Sequence, residues 1–261
     1  MTELCLTVTE VQATTLEALD VTKATGPDGI PAHLLKETAS VIAPSICKLF
    51  NKSSTLGIVP NEWKNVNVVP VFKKGEADYT ESYRPISLLS QVSKVLERCV
   101  LNSFKERLRE VVKECKHGCL NGKSCASNLL EVLHHIGSLL DNGSQIDVVY
   151  MDMSKAFDKV CHSRMLQKLR AFGFGVPQGS ILGPALFLLY MNDLPDAVKT
   201  NNIAMFADDT KTYQEIKSVD DVASLQDDLD RLDAWSNSSV LAFNGEKCKT
   251  QRITRKVNIV D

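Results

Sequence analysis

Three aspartates carry the chemistry this chain could do. Asp152 ends a short apolar run, Ile146-Asp147-Val148-Val149-Tyr150-Met151-Asp152. Asp208 and Asp209 sit in Ala204-Met205-Phe206-Ala207-Asp208-Asp209-Thr210. Both runs read as strands, being mostly apolar, short and close to turn residues. On neighbouring strands Asp152 and Asp208 come side by side. Unpaired, such carboxylates repel, and one takes up a proton. A hard divalent cation removes the conflict, because oxygen ligands on rigid strands suit Mg²⁺. Two such ions can clamp the attacking and leaving oxygens of an in-line phosphoryl transfer.

An Asp-Asp pair at a strand end is also an ordinary exposed turn, so the motif needs its context. Side chains alternate faces along a strand, so Asp208 and Asp209 cannot both point one way within it. They fit a tight hairpin whose return strand includes Tyr213 to Ile216. Asp208 shares a face with Phe206 and Ala204, so it is the expected partner of Asp152, with Asp209 more peripheral.

The elements around these residues follow from pattern. Thr7-Val8-Thr9-Glu10 matches a capping box and opens a helix to about Leu19. Gly26-Pro27-Asp28-Gly29 is a turn. A helix starts near Ala32, restarts at Pro44 and ends at Gly57. Val66 to Phe72 reads as a strand whose Pro70 confines it to an edge or a strand end, and Lys73-Lys74-Gly75 is a basic turn. Helical spacing predicts long helices over Ser87–Val112 and Ser124–Leu140, a short one near Met165–Arg170 and a very apolar one over Ile181–Asn192. An acidic helix runs through Leu225, Leu229, Leu232 and Trp235, and a strand is expected at Val240–Phe243. This order is α+β, a small antiparallel sheet covered by helices.

Composition bounds the rest. The 261 residues are 44% hydrophobic and 24% charged, an ordinary globular balance. No run of apolar residues is long enough for a membrane span, and Met1 to Cys5 does not start like a signal peptide. The chain is therefore expected to be intracellular, nuclear or cytoplasmic, with no membrane partner. Eight cysteines at 5, 47, 99, 115, 119, 125, 161 and 248 form no Cys-x-x-Cys pair and read as reduced thiols. The cluster Cys115, His117, Cys119 and Cys125 matches no standard zinc finger. The net charge of −2 lacks the basic footprint usual in nucleic-acid binders. Local basic stretches at Lys94–Lys123 and Lys247–Lys256 could hold a phosphate backbone, or be solvated surface.

Six stretches in order now line up with one family: Lys23–Ile30 (KATGPDGI), Phe72–Gly75, Tyr83–Ser90 (YRPISLLS), Asp152–Val160 (DMSKAFDKV), Val176–Asp193 (VPQGSILGPALFLLYMND) and Phe206–Thr210 (FADDT). Together they resemble the reverse transcriptase of a non-LTR, LINE-type retrotransposon, across nearly the whole chain. The resemblance implies a fingers–palm polymerase fold and RNA-directed DNA synthesis from an RNA template, a DNA primer and dNTPs. It implies two Mg²⁺ ions, with Mn²⁺ as a substitute. Its catalytic carboxylates fall on Asp152, Asp208 and Asp209. Phe157 would pack under the incoming sugar and exclude a 2′-hydroxyl, although a core phenylalanine reads the same. Gln178 and Gly179 would contact the nucleotide, where glycine lets backbone come close. Lys73 and Arg84 would face the triphosphate, for which ammonium and guanidinium are suited. Lys247, in Asn-x-x-Lys with Asn244, would assist departure of pyrophosphate.

The departures from that pattern set further expectations. Residues 1–60 form an N-terminal helical extension and 61–261 the fingers and palm. A few dozen residues that the family places before the Pro177-Gln178-Gly179 turn are missing, so a deletion junction falls near 174–175. The chain stops soon after Lys247, so the thumb is expected to be absent. A non-catalytic remnant that binds nucleic acid weakly is the alternative to a polymerase.

Overall fold

A computed structural model describes residues 5–118, 120, 122–154, 156–157, 159–171, 182–256 and 259–260. Gln178, Gly179 and the expected junction near 174–175 lie outside them. The chain divides into two compact units, one built by residues up to Lys105, the other by Glu106–Ala171 and the chain from Gly183 onward.

In the first unit, Thr7 caps helix α1 (Val8–Val11) as its sequence predicts. The Glu10 amide donates to Thr7 Oγ1 at 3.2 Å, and the Thr7 amide donates to Glu10 Oε2 at 2.8 Å. One π turn, Gln12–Leu16, continues it. Helices α2 (Ala32–Glu37) and α3 (Ala39–Leu56) break at Thr38, not at Pro44. Pro44 lies in the second turn of α3, where it forfeits one intrahelical bond and its ring crowds the carbonyl four residues back. The expected stop at Gly57 holds, in left-handed backbone. Val11, Leu16, Ala43 and Phe50 are fully buried, and Val95 and Cys99 join the same cluster.

Strands β1 (Val66–Phe72) and β2 (Tyr83–Leu89) form an antiparallel ribbon from Val66↔Leu89 to Phe72↔Tyr83. Pro70 sits opposite Pro85, so the two residues without an amide donor share one pair in a ribbon that is edge on both sides. This pairing takes Ser87–Leu89 away from the long helix predicted there. Ser90 then caps α4 (Gln91–Val111), accepting from the Ser93 amide at 3.0 Å. The turn at Gly26 lies against that cap. A Cβ on Gly26 would meet Ser90 Cα at 2.5 Å, so no other residue fits without moving backbone.

The second unit holds a four-stranded antiparallel sheet ordered β4-β5-β3-β6. Its strands are β3 (Gln145–Met151), β4 (Asn202–Phe206), β5 (Asp209–Ile216) and β6 (Lys249–Thr254). Helix α5 (Cys125–Asp141) covers one face, setting Val132 and Ile136 against Ile146, Val148, Ala204 and Tyr213. Helix α6 (His162–Ala171) precedes the apolar α7 (Gly183–Tyr190), whose Phe187, Leu188, Leu189 and Tyr190 are buried. The end of α7 is locked by polar contacts. Lys168 Nζ donates to Asp193 Oδ1 at 2.7 Å, and Trp235 Nε1 of helix α8 (Val219–Ser238) donates to the same oxygen at 3.1 Å.

The strand expected at Val240–Phe243 does not form. The Leu241 amide donates to the Ser236 carbonyl at 3.1 Å, which closes α8 with Val240 at φ 56°. That is the six-to-one helix stop usually made by glycine. The sixth strand lies instead in the basic tail, pairing with β3 through Tyr150↔Lys249 and Asp147↔Arg252. Arg252 Nε reaches Asp147 Oδ1 at 3.0 Å, so part of that basic stretch is structural. Left-handed backbone costs a β-branched residue about 1–2 kcal/mol, and Val240 is exposed. Val240→Gly should therefore raise the unfolding free energy by about 1 kcal/mol, read from the urea midpoint. An unchanged or lower midpoint would refute the strain.

Candidate functional site

Strand pairing brings the aspartates together. The β3–β5 ladder ends at Met151↔Thr210, and the β4–β5 ladder ends at Phe206↔Asp209. One step further along the first ladder sets Asp152 opposite Asp209. Directly opposed side chains on antiparallel strands have Cβ atoms about 5 Å apart. Asp208 stands in the two-residue turn between β4 and β5, after Ala207 at φ 55°. Asp209, expected as the more peripheral carboxylate, thus opens β5.

The electrostatics tie the three together. Asp209 has its pKa raised, first by loss of surrounding water, then by the Asp208 and Asp152 charges, with Lys247 and Lys211 pulling the other way. Lys247 is the counter-charge. Its Nζ donates to Asp152 Oδ2, and that bond raises its pKa first, with Asp152, Asp208 and Asp209 adding their fields. Backbone contacts deliver this lysine. The Asn244 amide donates to the Asp152 carbonyl at 2.8 Å, and the Lys247 amide to the Asn244 carbonyl at 3.0 Å. The Asn-x-x-Lys spacing is therefore a turn whose first residue is fastened to Asp152.

Phe157 is half exposed, and its ring stacks on Phe187 at 4.5 Å with 29° between the planes. The buried Phe187 supports it, and its other side remains available, so it is not a closed core residue. Lys73 and Arg84 are exposed on the β1–β2 ribbon of the first unit, with Arg84 opposite Val71 and the Lys73 amide donating to the Ser82 carbonyl at 2.8 Å.

Oxygen donors are the set a hard cation takes, and the mutual repulsion at Asp209 is the tension that such an ion relieves. Among the described residues, no three His, Cys, Asp or Glu side chains are gathered closely enough to form a ready-made cage. Cys115, His117 and Cys125 form no metal group either, and His117 instead reaches Glu131 Oε2 at 3.0 Å.

A family profile described as reverse transcriptase (RNA-dependent DNA polymerase) matches residues 71–260. The chain belongs to that family. The probable RNA-directed DNA polymerase from transposon BS of Drosophila melanogaster is 26% identical over 276 residues, covering 89% of this chain and 30% of its own length. The RNA-directed DNA polymerase from mobile element jockey of the same fly is 24% identical, covering 88% of this chain and 30% of its own. The corresponding X-element protein is 28% identical over 90% of this chain. The chain thus spans 30% of the length of these relatives. The 276 aligned positions also exceed its 261 residues, so the relatives carry intervening residues that it lacks. Among solved structures, apo telomerase from Candida tropicalis, truncated from its C-terminal domain, superposes with a TM-score of 0.54 at 11% identity, over 77% of this chain and 52% of that one. That likeness shows a reverse-transcriptase-like fold.

The raised pKa of Asp209 has a sign that can be tested. An acid whose folded pKa exceeds its unfolded value binds more protons when folded, so stability falls as pH rises from the ordinary carboxylate range through the folded value. Asp209→Asn should therefore raise the urea midpoint modestly at pH 7 and leave it unchanged near pH 3. A lower midpoint at pH 7 would show that the carboxylate is a net stabiliser instead.

Proposed function

We propose that this reverse transcriptase is the RNA-directed DNA polymerase portion of a retroelement. It would extend a DNA primer with dNTPs along an RNA template. The observation that carries the reading is the strand register that sets Asp209 opposite Asp152 just beyond Met151↔Thr210, with Asp208 in the adjoining turn, within the span that the family profile matches. Those three carboxylates would hold Mg²⁺ or Mn²⁺. When bound, two such ions would polarise the attacking hydroxyl and the transferred phosphoryl group.

The chain's own residues would do the rest. Lys247 lends a positive charge to the carboxylate cluster and can give a hydrogen bond to a departing pyrophosphate when it leaves Asp152. Phe157, stacked on Phe187, would offer a floor for the incoming sugar and exclude a 2′-hydroxyl by its bulk. Lys73 and Arg84 would meet the triphosphate, and Gln178 and Gly179 the nucleotide.

A second reading has its own support. The relatives carry residues that this chain lacks, and a polymerase missing part of its fingers would bind substrate poorly. The net charge of −2 offers little general attraction for phosphate. The chain would then be a non-catalytic remnant.

Primer extension on a homopolymer RNA template decides between them. Robust synthesis by the chain as it stands supports the first reading. No synthesis, with activity regained when the residues present in the relatives are inserted, supports the second. In whichever version is active, Asp208→Asn should cost more than the roughly 100-fold that loss of an outer-shell metal partner causes. Turnover within tenfold of wild type would remove Asp208 from the site. Phe157→Val should raise ribonucleotide over deoxyribonucleotide incorporation, and an unchanged ratio would return Phe157 to packing alone.

A further inference from the structure

The outer edge of β4 is covered by a four-residue strap, Cys115–Gly118, whose residues are tied to β4, to the end of α7, to α5 and to the hairpin turn. The Met205 amide donates to the Cys115 carbonyl at 2.9 Å, and the His117 amide donates to the Met205 carbonyl at 2.9 Å, a parallel bridge centred on Lys116. Lys116 is 1% exposed, and its Nζ donates to the Met191 carbonyl at 2.8 Å, beyond the end of α7. Burial pushes this ammonium down to about 7, with Cys115 and Asp193 drawing it back up. His117 lies between Ser127 Oγ, at 3.1 Å from Nδ1, and Glu131 Oε2, at 3.0 Å from Nε2, both on α5.

Gly118 ends the strap against the aspartate hairpin. A Cβ there would stand 2.5 Å from the Ala207 amide nitrogen and 3.1 Å from Ala207 Cα. Both are backbone atoms, so the turn itself would have to move. Ala207 is also the residue at φ 55°, a conformation that costs alanine about 1 kcal/mol. Such strain persists where the surroundings over-determine it. A strained turn, a backbone contact that admits no side chain, and a buried lysine anchoring the contacting segment are three separate observations at one place.

We propose that the Cys115–Gly118 strap is a positioning element that sets the height of the Ala207–Asp208 turn, and with it the spacing of Asp208 and Asp209 from Asp152. Gly118 is the positioning residue and Lys116 its anchor. The proposal rests on reading those carboxylates as the functional site. A strap that merely covers an edge strand would affect stability alone, whereas a positioning strap also changes how far apart the carboxylates stand and how they bind a cation.

The test uses the full chain with two readouts that need no polymerase activity. One is the set of cross-strand nuclear Overhauser contacts between Asp152 and Asp209, which reads their spacing, and the other is Mn²⁺ affinity by electron paramagnetic resonance. Gly118→Ala should weaken those cross-strand contacts and lower Mn²⁺ affinity by about tenfold, the scale of a lost supporting contact. Lys116→Met keeps the buried stem, removes the tie to Met191 and should shift both readouts the same way. Gly137→Ala, on α5 with nothing within 4 Å of the added Cβ, should shift neither. If Gly118→Ala does not fold, Lys116→Met decides. Folded variants with wild-type contacts and affinity overturn the proposal, and so does loss of the fold in both, which would make the strap plain scaffold. If the wild-type chain binds no Mn²⁺, the metal reading fails, yet the cross-strand contacts still report whether the strap positions the turn.

Discussion

Repulsion among three carboxylates at one end of a four-stranded sheet is the constraint to which the second unit answers. Adjacent antiparallel strands would ordinarily not place like charges opposite one another, since such pairs destabilise a sheet. Here the β3–β5 register does so just beyond Met151↔Thr210. The core on the opposite stretch of the same strands, where Ile146, Val148 and Tyr213 pack under α5, supplies the stabilisation that holds the register. The apolar part of each strand thus fixes the polar end, which is why both aspartate motifs follow apolar runs.

Lys247 answers the same constraint from a distance of many residues in sequence. Charge alone would not place it, because exposed ion pairs are weak and side-chain entropy opposes them. Its place comes from backbone. The Ser154 amide donates to the Ala242 carbonyl at 2.8 Å and the Asn244 amide to the Asp152 carbonyl at 2.8 Å, and β6 then pairs along β3. The tail that delivers the counter-charge is therefore the strand that completes the sheet. Its basic residues serve β3 as well as any external phosphate.

What the sequence made legible was governed by strong local patterns. The Val66–Phe72 strand, the helix after Ser124, the buried apolar helix before Asn192 and the aspartate hairpin all had periodicity and turn residues in agreement, and the structure holds each. The misses came where tertiary contacts outweighed a local signal. Ser87–Leu89 carried helical spacing, but pairing with Val66–Asn67–Val68 claimed them for β2. Val240 to Phe243 looked like a strand, but α8 took Val240 for its left-handed stop. The candidate site was legible as three aspartates and a lysine, and the structure brings those four residues near one another. Which aspartate opens the return strand was not, because a two-residue turn shifts the face of every residue that follows it. The strap from Cys115 to Gly118 carried no signal, since a parallel bridge and a glycine contact leave no periodicity to read.

A carboxylate elsewhere in the same unit shows what the fold does when stability alone is at stake. Asp228 is fully buried on α8. It accepts from the Lys199 and Thr200 amides at 3.0 Å each and from the Asn201 amide at 3.1 Å, and it pairs with Arg231. Burial works against its charge, yet the amides outweigh burial and its pKa falls. Asp209 has the opposite sign: loss of surrounding water raises its pKa first, and the Asp208 and Asp152 charges raise it further. At the sheet end it is Asp152 that takes the counter-charge, from Lys247. The strained Ala207 backbone and the buried Lys116 side chain lie beside the same hairpin. In proteins generally, departures of this kind collect at functional sites. Here they fall around the carboxylates that the family resemblance singles out.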